Sequence, residues 1–106
     1  MKKKNLYENI PEKLPKELFN KIIYGNSIKI WRIVSKNHRT PKNKWYNQNK
    51  NEFVVVIKGS AELSFKENNK IKKLKMKKGD CINIPPRLKH RVDKTDKETI
   101  WLAVFY

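Results

Sequence analysis

The chain has 106 residues, 38% of them hydrophobic, and its 26 Lys and Arg outnumber 10 Asp and Glu to give a net charge of +16. That length suffices for one compact domain and excludes two. No apolar run is long enough to cross a bilayer, no apolar stretch follows the basic start Met1–Lys4 as a secretory signal requires, and the lone Cys81 excludes an intrachain disulfide. These features point to a cytoplasmic protein without a membrane partner.

In chain order, residues 1–12 are polar and read as loosely ordered at their start. Pro15 then precedes Leu18, Phe19, Ile22 and Ile23 at helical spacing, with Gly25-Asn26 as a stop. This pattern predicts one short amphipathic helix within an N-terminal extension, residues 1–26. From Ser27 the period changes to two. Ser27–Ser35 reads as a strand, with Ile28, Ile30 and Val34 on one face and Trp31 and Ile33 on the other. Residues 36–51 form a long polar connection, of a length that is either functional or hides a strand. Further strands are predicted at 52–58, 60–66, 71–76, 81–84, 90–93 and 99–106, separated by turns containing Gly, Asn or Pro. Many short alternating strands make residues 27–106 one all-β barrel or sandwich domain.

The basic excess is mostly lysine, with Arg32, Arg39, Arg87 and Arg91 the only arginines. Base-reading surfaces favour the forked guanidinium, so the charge reads as a solvated surface that binds no specific nucleic acid. Cys81, which opens a strand after a turn, reads as an inert buried thiol. No Ser-His-Asp order, phosphate loop or paired-cysteine zinc motif is present.

Two segments carry the chemistry. Gln48 to Gly59 reads Q-N-K-N-E-F-V-V-V-I-K-G, and Gly79 to His90 reads G-D-C-I-N-I-P-P-R-L-K-H. Alternation places Glu52 on the face of Val54 and Val56, and His90 on the face of Val92, with Ala61, Leu63 and Phe65 inward on the next strand. A carboxylate and an imidazole among valines must bind a cation, bind each other or meet water.

The two segments resemble the paired signature motifs of the cupin superfamily, and more closely a group of small single-domain cupins with a histidine-poor first motif. The Glu52–Gly59 spacing matches the first motif, but its histidines are replaced by Tyr46 and Gln48. The second motif is better kept, with Gly79, Pro85 and His90 in place, Arg87 where glycine is common and Lys94 where asparagine is common.

The resemblance implies a double-stranded β-helix, or jelly-roll barrel, with a ligand site inside. It implies a divalent ion (Zn, Fe, Mn or Ni) on Glu52 and His90, with Gln48 and the loop residue His38 as further ligands. Tyr46, Trp45, Arg39 and Arg87 are the expected pocket residues, the arginines drawing in a small anionic molecule. The apolar residues Trp31, Ile33, Trp101 and Phe105 are expected on an outer face suited to a homodimer. No catalytic residue can be assigned. A metal-dependent enzyme of unknown reaction, a non-catalytic small-molecule sensor and a non-specific polyanion binder all remain compatible.

Overall fold

The computed structural model describes residues 1–106 and contains strands only. They are β1 (Leu18–Tyr24), β2 (Lys29–Ser35), β3 (Glu52–Lys58), β4 (Ser60–Glu67), β5 (Lys70–Lys77), β6 (Cys81–Ile84), β7 (Lys89–Thr95) and β8 (Thr99–Phe105). A five-stranded sheet in the order β1-β2-β8-β3-β6 faces a three-stranded sheet in the order β5-β4-β7, and every pairing is antiparallel. This is a jelly-roll barrel, and the strands after Ser27 lie close to their predicted positions.

The core sits between the sheets. Val54, Val56, Ala61, Leu63, Met76, Ile84, Trp101 and Ala103 form one buried cluster, with Ile33, Phe65, Ile82, Leu88, Val92 and Phe105 packed against it. Burial of each large aliphatic side chain is worth about 1.5–3 kcal/mol. The alternation read from β3, β4 and β7 therefore becomes the packed interior. The chain crosses from β3 in the large sheet to β4 in the small one at Gly59, whose φ of +82° suits glycine, and a Cβ there would lie 2.4 Å from the Glu98 carbonyl oxygen.

The predicted N-terminal helix is not formed. Its residues make β1, which pairs with β2 from Leu18↔Val34 to Tyr24↔Lys29 and shifts register between Lys21 and Ile23. That bulge breaks the period of two, so the apolar spacing imitates a helix. The β-branched pair Ile22-Ile23 and the aromatics Phe19 and Tyr24 suit a strand once β2 offers an edge.

Residues before β1 are tied across the outside of the large sheet. The buried Arg32 guanidinium donates to the carbonyls of Leu6 (3.1 Å) and Glu8 (2.6 Å) and to Asn20 Oδ1 (2.9 and 2.5 Å). Lys36 Nζ donates to the carbonyls of Pro11 (2.8 Å) and Glu12 (2.9 Å). Val34 and Ile100, which share the Arg32 side of the sheet, are fully buried. The large sheet is thus apolar on both sides, and this corrects the proposed dimer face. Ile33, Trp101 and Phe105 turn inward, and Trp31 packs edge-on against Tyr24. Cys81 is also exposed rather than buried. No helix is long and apolar enough to cross a membrane.

Candidate functional site

Inside the barrel is a cavity of about 130 Å³, lined mainly by apolar side chains and by Glu17, Tyr46, Gln48, Glu52 and His90. Glu52 opens β3 and His90 lies near the start of β7, so the two approach from opposite sheets. His90 Nε2 stands 3.4 Å from Glu52 Oε1, long for a hydrogen bond, while His90 Nδ1 lies 2.9 Å from the Leu88 carbonyl. A carbonyl only accepts, so Nδ1 carries the proton and the Nε2 edge of the ring faces Glu52 inside the cavity. Gln48 Nε2 donates to Glu52 Oε1 at 2.9 Å.

Residues 36–51 are laid beside β7 rather than looping free. Thr40 exchanges bonds with Val92, its N–H donating to the Val92 carbonyl (2.9 Å) and its hydroxyl accepting from the Val92 N–H (2.9 Å). Tyr46 and His90 form an isolated bridge, and the Arg87 N–H donates to the Gln48 carbonyl at 2.7 Å. The long connection therefore contains an unrecognised strand-like stretch, and alternation along it sends Tyr46 and Gln48 to the cavity.

The electrostatics follow from these contacts. Burial opposes a charge on His90, but the bond to Glu52, the Leu88 carbonyl and the Glu52 charge outweigh it and raise the imidazole above its ordinary value. Burial and the carboxylates of Glu17 and Glu52 push the Tyr46 phenol up, so it stays a neutral donor.

The other residues singled out from sequence lie elsewhere. Trp45 has the opposite parity to Tyr46 and stacks under the Arg91 guanidinium, 4.3 Å from its ring centre. His38 does not line the cavity, because its Nδ1 accepts from the Lys36 N–H at 2.8 Å. Arg39 is exposed, and Arg87 sits in a turn at a φ of +69° on the outer surface beside Pro85 and Pro86. Neither arginine lines the cavity.

In their place the fold brings Glu17 and Phe19 from the N-terminal segment. Glu17 accepts from the Ser35 hydroxyl at 2.5 Å, and Ser35 Oγ accepts from Trp101 Nε1 at 3.2 Å. The signal for this pair was present in the sequence. Had Leu18–Tyr24 been read as a strand, Glu17 and Phe19 would have shared a face.

The donor set decides what metal could fit. No group of three or more His, Cys, Asp or Glu side chains converges anywhere in the chain. A resident catalytic ion ordinarily takes three protein ligands, and Glu52 with His90 falls short of that.

The family model described as Cupin domain matches residues 33–105. A Ralstonia eutropha JMP134 protein, provisionally assigned as a mannose-6-phosphate isomerase, is similar at 33% identity with a TM-score of 0.89, over 99% of this chain and 97% of that one. A cupin superfamily protein from Desulfitobacterium hafniense DCB-2 superposes with a TM-score of 0.74 at 11% identity, over 91% of this chain and 82% of that one. Fe(II)-HppE with an alternative substrate superposes with a TM-score of 0.72 at 13% identity, over 93% of this chain and 54% of that one. At such identities the last two likenesses concern the fold alone. Comparison with curated proteins finds no match.

Proposed function

The chain belongs to the cupin family, and on that premise we propose that its barrel cavity is a binding site for one small molecule. The observation that carries this reading is the pair Glu52–His90, held inside an apolar cavity with the Nε2 edge of His90 turned into it. Buried polar groups aimed into an otherwise apolar pocket are how such sites orient a ligand. The apolar walls would hold the body of the ligand, and Glu52, Gln48 and His90 its polar end. Tyr46 stands at the rim as a neutral donor. The pair can also hold a proton at Nε2 and return it to a bound molecule, which is the chemistry available if the ligand is a substrate. The exposed thiol of Cys81 suits a reducing, cytoplasmic setting.

A library of small metabolites, followed by the NMR signals of the Trp101 indole and the His90 ring, tests this. Saturable shifts at both, with the Trp101 shift lost in Glu52→Gln and His90→Ala and both kept in Arg87→Ala, are the expected result. Ligands that move only surface signals would overturn it.

A second reading has its own support. Two ligand atoms each about 2.1 Å from a tetrahedral ion stand about 3.4 Å apart, and Glu52 Oε1 and His90 Nε2 are 3.4 Å apart. The pair thus suits a weakly held, exchangeable divalent cation, and no reaction step is assigned to such an ion.

A further inference from the structure

The walls of the cavity carry a charge opposite to that of the protein. Of 26 Lys and Arg residues none lines it, whereas both Glu17 and Glu52 do. The remaining surface is rich in aromatic rings, from Phe19, Tyr46, Trp101 and Phe105. The only cationic group available is His90, which Glu52 already faces at 3.4 Å, so these two offset each other and Glu17 is the negative charge left without a cation. A phosphorylated or carboxylated molecule would thus meet two carboxylates and no lysine or arginine, in a site where burial strengthens the repulsion. Carboxylates among aromatic faces favour the reverse, a positive charge with little water to lose, because the ring faces attract cations.

We infer that the cavity selects a small organic cation, an alkylated ammonium group, with the aromatic rings around its methyl groups and Glu17 supplying the countercharge. The inference rests on the reading of the cavity as a ligand site and names the class of ligand it takes. Glu17 is placed for this by the N-terminal segment, which the Arg32 and Lys36 bonds hold against the barrel. Phe19 is half exposed and forms an outer wall. The similarity to a protein provisionally assigned to a phosphorylated sugar makes the charge preference a sharp point of difference to test.

The experiment compares three probes of different charge on the full chain, read by the Trp101 indole N–H signal. They are choline, its neutral carbon isostere 3,3-dimethylbutan-1-ol, and mannose 6-phosphate. Choline should bind at least about tenfold more tightly than the isostere, and mannose 6-phosphate should leave the Trp101 signal in place. Glu17→Gln should erase most of the preference for choline over the isostere. Phe19→Ala, at a half-exposed position that folding tolerates, should weaken choline as well. Equal binding of choline and isostere, or tighter binding of mannose 6-phosphate at Trp101, would overturn the cation preference and leave the ligand site standing. No shift at Trp101 with any of the three probes would overturn the cation preference, and no shift there with the metabolite library either would overturn both.

Discussion

Tyr46 and His90 exchange both of their backbone hydrogen bonds, at 2.7 Å from the Tyr46 N–H to the His90 carbonyl and 3.1 Å in return. Their rings lie 5.7 Å apart between centres. This single bridge turns a polar connection into a wall of the barrel and fixes the distance between the phenol and the imidazole. It also places Gln48, two residues on, against Glu52.

Replacing Glu52 with Gln should lower the His90 pKa, because the bond and the charge that raise it are both weakened. A group whose folded pKa is raised contributes stability that is complete below its unfolded value and disappears as pH rises through the folded value. The stability lost in Glu52→Gln should therefore be largest below the ordinary imidazole value of about 6.5, though above the ordinary carboxylate range, and should shrink as pH rises through the raised His90 value. Proton titration of the His90 ring and denaturant melts across this range measure both effects. A variant whose His90 titrates as in the wild type would show that Glu52 does not govern it.

Zinc or nickel should bind weakly, and His90→Ala should reduce that affinity by at least about tenfold. His38→Ala should change it little, since the His38 Nδ1 is taken by the Lys36 N–H. Calorimetric titration of the variants decides the matter. Equal metal binding by wild type and His90→Ala would remove the cation reading and leave the ligand cavity untouched.

Gly59 and Gly79 have similar dihedrals, with φ of +82° and +91°, but different surroundings. Alanine at 79 meets nothing within 4 Å and should cost about 1 kcal/mol from backbone strain alone. Alanine at 59 adds collisions with Glu98 O and Thr99, the nearest at 2.4 Å, and should cost at least about 2 kcal/mol more. Urea unfolding of both variants gives the comparison.

Arg32→Ala removes a buried guanidinium that serves Leu6, Glu8 and Asn20 together. With charge-assisted bonds worth about 1.5–3 kcal/mol, the loss should reach at least about 2 kcal/mol. Trypsin should then cut faster at Lys13 and Lys16. Unchanged cleavage there would show that the N-terminal segment is held by other contacts.

The net charge of +16 should produce binding to nucleic acid that is blind to sequence and falls steeply with salt. Two of the arginines are already engaged, Arg32 beneath the N-terminal segment and Arg91 with Asp93 at 2.8 Å. Titration at near-physiological salt against scrambled controls checks this, and tight preference for one sequence would contradict it.

What the sequence determined by itself was local in origin. The strict alternation of Glu52, Val54 and Val56, and of His90 and Val92, is a property of each strand alone. It was enough to predict strands from Ser27 onward and the shared inner face of the carboxylate and imidazole. Glycine at 59 and 79 marked turns for the same reason, since their backbone angles depend on immediate neighbours.

Tertiary structure decided the rest. The segment Leu18–Tyr24 carries a bulge, and only the free edge of β2 makes it a strand. Both sides of β8 are apolar because the N-terminal segment covers one of them, so no period could tell which face of Trp101 is inside. The path of residues 36–51 depends on bonds to Val92 and His90 across the barrel, which turned Tyr46 inward and left Trp45 and His38 outside the cavity. Glu17 and Phe19 reach the cavity only after these long-range pairings form, and pairing between distant segments leaves no periodic trace in the chain.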